Sequence, residues 1–269
     1  MVEIWLSIQE EQSMSSELNY LHSIPTPQNA FSTPIDNPLT GPPPARFRDC
    51  EVLVAQYRTN PAAIAALVPE PLKPVGDTVF VQIARWGDVP GMGHDTQEVN
   101  VMVQVELNTP NGKVTGSYSP YFYVTNDRAM VGGREFHGQP KRIANIDLQI
   151  REDLIVGTLN RNGIDVFTAT LPYKSKKSDL EEMRKRVDFL KNINLKIVPQ
   201  IDQSKGLRQL TARDFHDVDI TECWTGPVTS HILENAQVPL YRLPVIQHLE
   251  GFYWKGEFSL IGGVILHEY

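Results

Sequence analysis

Val99-Asn-Val-Met-Val-Gln-Val-Glu-Leu107 decides the fold. Val99, Val101, Val103, Val105 and Leu107 recur at every second residue, so an extended backbone places all five on one face. A helix would scatter them around its circumference. Similar short apolar runs return at 79–84, 121–125, 146–150, 154–159, 164–171 and 195–198, punctuated by Gly, Asn and Asp clusters. Two helices are expected between them. Asn60-Pro61 before Ala-Ala-Ile-Ala-Ala-Leu supplies a cap, a proline at the first helical position and good helix formers. Ser178 with Glu181 reads as a capping box opening a helix to about Leu190. Many short strands with few helices predict an α+β chain that is mostly antiparallel β, a barrel or a double-layer sheet, not a βαβ repeat.

Working outward, the composition is that of an ordinary globular chain: 269 residues, 41% hydrophobic and 21% charged, long enough to enclose a buried site without staples. Residues 1–46 differ. Pro25, Pro27, Pro34, Pro38 and Pro42-Pro43-Pro44 among Ser, Thr and Asn suggest an N-terminal arm, leaving 47–269 as one folded domain. A net charge of −7 gives no general attraction to nucleic acid or to an anionic membrane. Cys50 and Cys223 form no disulfide framework and no metal-ligand spacing. With no secretory signal and no apolar run of membrane-spanning length, a cytoplasmic location is expected. Phosphate loops, dinucleotide fingerprints, zinc helices and serine elbows are absent, so no metal and no cofactor is expected.

The stretch that carries chemistry is Val131-Gly-Gly-Arg-Glu-Phe-His-Gly-Gln-Pro-Lys-Arg-Ile143. On its residues alone it is a glycine-rich turn holding a Lys-Arg pair on a stiff backbone beside a strand. It also resembles the active-site stretch of the acetoacetate decarboxylase family, in which Gly-Arg-Glu precedes Pro-Lys-Lys by a few residues. Further segments are similar in order and spacing: Tyr57-Arg-Thr59, Val68-Pro-Glu-Pro-Leu72, Gly157-Thr-Leu159, Thr168-Ala-Thr170, Leu195-Lys-Ile-Val-Pro199, Trp224-Thr-Gly-Pro227 and Pro239-Leu-x-x-Leu-Pro-Val245. The resemblance runs from about Phe47 to Leu249 and implies that family's β-barrel or double-layer sheet with a few helices.

Position by position, the resemblance makes Lys141 the Schiff-base lysine. Such a lysine must be neutral to attack a carbonyl, yet at a pKa of about 10.4 only roughly one copy in a few thousand is neutral at pH 7. Burial in an apolar pocket lowers it, and acetoacetate decarboxylase is itself the standing example of an activated lysine. Arg142 stands where the family has a second lysine. In an extended stretch the two side chains point to opposite faces, so desolvation is expected to act on Lys141 more than Arg142 does. For the family's glutamate, counting from Gly91-Met-Gly93 gives Gln97, whereas strand register gives Glu98, which is preferred.

The family's substrate-orienting arginine falls on Cys50. Arg48, two residues earlier, is the expected substitute on the same strand face. Arg142, His137 and Tyr253 are expected to bind the substrate, with His137 also able to serve in proton transfer. The resemblance thus implies a lyase that decarboxylates a β-keto acid through an imine and enamine on Lys141. An imine-forming aldolase-dehydratase or hydro-lyase is the alternative, and a non-catalytic small-molecule-binding barrel the second alternative. The expected partners are a small keto acid and further copies of the chain in a homo-oligomer.

Overall fold

The computed structural model describes residues 25–110, 112–188 and 191–269. Two units divide the chain, residues 1–41 and 42–269. In the first, residues 25–41 form turns and bends, one of them fixed by Thr26, whose backbone N–H donates to Asn29 Oδ1 at 2.7 Å. Of the arm expected over residues 1–46, residues 1–24 lie outside the described residues.

The second unit contains strands β1 (Ala45–Arg58), β2 (Lys73–Val89), β3 (Gly93–Thr109), β4 (Gly112–Val124), β5 (Lys141–Ile143), β6 (Asn145–Arg151), β7 (Leu154–Arg161) and β8 (Ile164–Pro172). They are followed by β9 (Lys176–Lys177), β10 (Asn192–Val198), β11 (Leu207–Arg213), β12 (Phe215–Pro227), β13 (Thr229–Ile232), β14 (Gln247–His248), β15 (Glu250–Leu260) and β16 (Val264–Glu268). The α-helices are short: α1 (Pro61–Ala65), α2 (Asp127–Val131) and α3 (Leu180–Asp188). A π-helix follows α2 over Gly132–His137, and a 3-10 turn spans Pro239–Arg242.

A 12-stranded sheet runs β16-β11-β10-β4-β3-β2-β1-β15-β12-β9, with β14 on β1 and β5 on β4. A 4-stranded sheet runs β13-β8-β7-β6. All pairs are antiparallel except β4 with β10 and β4 with β5. Of the two architectures expected, this is the double layer. The sheets do not close into a barrel, since the path ends on β16 and β9.

Strand β3 shows why the layers stack. Its odd residues Val99 to Leu107 join Ile155, Leu159, Val166 and Phe167 of the small sheet in one continuous core. Gly157 on β7 lets the layers approach, because a Cβ there would meet Ile83 of β2 at 3.1 Å. The even residues Glu98, Asn100 and Met102 are also buried, on the opposite face. That face holds a second apolar cluster, in which Val52, Ala84, Trp86, Phe252 and Trp254 pack with Met183 and Val187 of α3. Each residue buried there forfeits contact with water, and the apolar ones contribute about 25 cal/mol per Å² removed.

One local expectation is corrected. The cap of α3 is Asp179, whose Oδ1 accepts from the backbone N–H groups of Glu181 and Glu182 at 2.9 and 3.0 Å. Ser178 is instead tied to Cys223, donating its N–H to the Cys223 carbonyl at 3.2 Å. The helix is described as far as Asp188, and the expected extension over residues 189–190 lies outside the described residues. For α1 the cap is Asn60 as expected, its side chain accepting from Ala62 N–H at 2.9 Å.

Candidate active site

Lys141 opens β5, a strand of three residues laid parallel to β4 with Lys141 in register with Phe122. The chain arrives there from the π-helix, whose C-terminal residue is followed by Gly138 at φ 77°. A Cβ on Gly138 would lie 2.5 Å from Lys196 Cβ and 2.9 Å from its Cα, so both the left-handed backbone and the close strand β10 require glycine. Gln139 and Pro140 then lead into the strand.

Lys141 is 5% exposed and Glu98 4% exposed, and the lysine Nζ donates to Glu98 Oε1. Phe122 closes over the amine, its ring centroid 4.7 Å from Nζ. Burial pushes the Lys141 pKa below its ordinary value, Glu98 opposes that by charge and hydrogen bond, and Arg213 adds to the lowering. Of the two registers weighed for the glutamate, Glu98 is the residue facing Lys141. Gln97 points to the other layer, where its Oε1 accepts from Leu148 N–H at 3.0 Å.

The remaining residues expected at the site separate. His137 ends the π-helix within electrostatic reach of Lys141; burial, then Arg213, Lys141 and Lys196, lower its pKa to about 2, so the imidazole is neutral. Arg142 turns away, as strand alternation requires, and donates to the Gln237 carbonyl at 2.9 Å. Burial is the largest influence on the Lys141 pKa, as expected.

Arg48 does not reach the pocket. A bulge between Phe47 and Cys50 puts those two residues on the buried face and turns Arg48 outward, where it pairs with Asp88 at 3.3 Å with 49% of its side chain exposed. Cys50 is packed among aromatic and aliphatic neighbours, and burial raises its thiol pKa. Tyr253 lies in register with Leu53, on the inter-layer face, and donates to Glu51 Oε2 at 2.6 Å. It is therefore removed from the Lys141 side of the sheet.

Sequence reasoning missed the polar residues of β10 and β11. Asn192, in register with both Ser117 and Arg213, accepts from Gln139 Nε2 at 3.2 Å. Burial lowers the Arg213 pKa to about 10, with Glu98 and Asp214 acting the other way. The Oδ1 atoms of Asn100 and Asn194, Ser119 Oγ, Gln139 Oε1 and Arg213 Nε are buried without a hydrogen-bond partner. Orphaned buried polar atoms are costly in a folded chain. The missed signal was the polar half of an alternation, Asn192, Asn194 and Lys196 between Ile193, Leu195 and Ile197. No cluster of His, Cys, Asp or Glu among the described residues has the geometry to hold a metal ion.

A buried lysine and glutamate, set on a sheet face under a π-helix, give this double-layer β scaffold an enzyme's kind of site. Comparison with known proteins names the family. The acetoacetate decarboxylase family model matches residues 32–269, a longer span than the sequence resemblance marked out. The acetoacetate decarboxylase of Paraburkholderia phytofirmans is 32% identical over 241 residues, which is 90% of this chain and 93% of that protein. A solved acetoacetate decarboxylase structure superposes with a TM-score of 0.84 at 30% identity, covering 90% of this chain and 97% of that one. MppR, an enduracididine biosynthesis enzyme solved with pyruvate, shares the fold with a TM-score of 0.75 at 20% identity, covering 89% of this chain and 98% of its own. The chain belongs to the acetoacetate decarboxylase family, and it is an enzyme, a carbon–carbon lyase of decarboxylase type.

Proposed function

We propose that the chain decarboxylates a β-keto acid through a Schiff base on Lys141. The observation that carries this reading is the Lys141–Glu98 pair, 5% and 4% exposed. In water such a pair stays ionised. Out of water, burial disfavours the ammonium, and a proton passing from Nζ to Oε1 frees the amine to react. The neutral amine adds to the ketone, and Glu98, now carrying the proton, returns it to the carbinolamine oxygen as water leaves. The bond to the carboxylate then breaks, CO₂ departs, and its electron pair moves into the iminium to give an enamine. Protonation of the enamine carbon and addition of water release the ketone and restore Lys141.

A second reading, condensation of a pyruvate-like donor with an aldehyde followed by dehydration, is favoured by one feature: His137 lies within electrostatic reach of Lys141, and its neutral imidazole offers a bound aldehyde one hydrogen-bond donor and one acceptor. Borohydride reduction with each of a panel of β-keto acids, read by mass spectrometry, tests the imine, and CO₂ release tests the decarboxylation. An adduct on Lys141 with CO₂ release supports the first reading. An enone from pyruvate plus aldehyde without CO₂ supports the second, and no Lys141 adduct with any carbonyl compound rejects both. A homo-oligomer belongs to the same reading, supported by exposed apolar side chains such as Val264 and Ile265 on β16. Light scattering on the purified chain tests it.

A further inference from the structure

Arg213 ends β11, two strands from β4, and it lines a cavity of ≈ 200 Å³ with His137, Lys196 and Thr211. Its Nε is buried without a hydrogen-bond partner, and among the described residues its guanidinium forms no ion pair. The ring of Phe215 flanks it at 5.9 Å. The charge of Arg213 acts on Lys141, on Glu98 and on His137. Glu98 already balances Lys141, Asp214 is paired with Lys191 at 2.9 Å, and Lys196 donates to the Phe136 carbonyl at 3.3 Å. Arg213 is in register with Asn192, which accepts from Gln139, two residues before Lys141, so this cavity brings surplus positive charge and an unused guanidinium edge to the approach to the lysine.

We propose that Arg213 binds the substrate's carboxylate, presenting its Nε edge to the acid while Lys141 takes the ketone; this rests on the imine reading. A guanidinium fork matches a carboxylate with two parallel hydrogen bonds, which a lysine does not. The pocket needs such a group, because Arg48, the cation expected to orient the substrate, faces solvent. Arg213 supplies it from another strand. A β-keto acid has one carbon between ketone and carboxylate, so its anchor must stand close to the amine. As CO₂ leaves, the carboxylate loses its charge, and the arginine holds the bound acid more strongly than the transition state. Its effect therefore falls on KM more than on kcat.

The test compares the native enzyme with Arg213→Gln and Arg213→Lys, using acetoacetate, the neutral ketone acetone and the inert acid propanoate. For Arg213→Gln the KM for acetoacetate and the inhibition constant for propanoate are expected to rise roughly 10- to 100-fold, the loss of one charge-assisted contact. Borohydride trapping of acetone on Lys141 falls less than turnover of acetoacetate does, and its pH profile moves toward alkali because the lysine loses a neighbouring positive charge, while Arg213→Lys recovers part of the propanoate binding. Unchanged propanoate inhibition in Arg213→Gln overturns the proposal. So does a fall in acetone trapping equal to the loss with acetoacetate, since that marks a disturbed lysine. Calorimetric binding of propanoate needs no imine. A native enzyme that binds propanoate through Arg213 yet yields no Lys141 adduct rejects the imine reading alone.

Discussion

Gly133 and Lys141 share one space: a Cβ on Gly133 would run into the lysine Cδ and lie 2.8 Å from its Cε and 2.9 Å from Gln139 Oε1. The π-helix thus presents a bare backbone to the lysine stem, and the stem runs through the gap to reach Glu98. Gly133→Ala forces the far end of a flexible side chain to move rather than a backbone. The fold is expected to tolerate it, with a change in melting temperature of a few degrees, whereas kcat falls by about 100-fold because a displacement near 1 Å misplaces the amine. Calorimetric melting and single-turnover trapping on the same variant separate the two effects. Equal kcat in variant and native enzyme would show that the lysine does not depend on the gap.

Glu98→Gln keeps the shape of the buried pair and removes its proton acceptor. Glu98 is what raises the Lys141 pKa against burial and Arg213, so its loss lowers that pKa further. The neutral amine then persists to lower pH, and the pH profile of borohydride trapping moves toward acid. Turnover nevertheless falls by about 10²- to 10⁴-fold, because no acid remains to expel water from the carbinolamine. A trapping profile shifted toward alkali contradicts this assignment.

How much of this was legible in the residues depends on range along the chain. The alternation Val99–Leu107 gave β3, and its strand register placed Glu98 rather than Gln97 toward Lys141. Lys141 and Arg142 diverge because the pleat of even a three-residue strand is obligatory. Arg48 was misplaced by a bulge, which changes the side-chain phase without a sequence mark that alternation counting detects. Arg213 stayed invisible because it reaches the site through sheet order: β11 joins β4 only by way of β10, and no spacing along the chain encodes that crossover. Ser178 and Asp179 are adjacent acceptors, and the choice between them is made by the tertiary contact of Ser178 with Cys223.

Arg48→Ala tests the bulge directly. Its partner Asp88 is at the surface, and an exposed pair of this kind contributes about 0–1 kcal/mol. Activity is expected to stay within about two-fold of native, and the urea midpoint to shift by less than about 1 kcal/mol equivalent. A loss of activity like that of Arg213→Gln would place Arg48 in the pocket after all.

His137 gives the stability of the fold an acid limit. Its pKa is lowered from 6.5 to about 2, chiefly by burial and then by Arg213, Lys141 and Lys196. Between those values the unfolded chain binds a proton that the folded chain does not, so stability is full above the ordinary histidine range and declines as pH falls below it. At about pH 5 the difference amounts to at most about 2 kcal/mol. His137→Gln removes this one titration and is expected to flatten the decline between pH 7 and pH 5 by that amount. Urea unfolding of both proteins at the two pH values measures it, and parallel declines would mean that His137 is protonated in the fold as readily as in the unfolded chain.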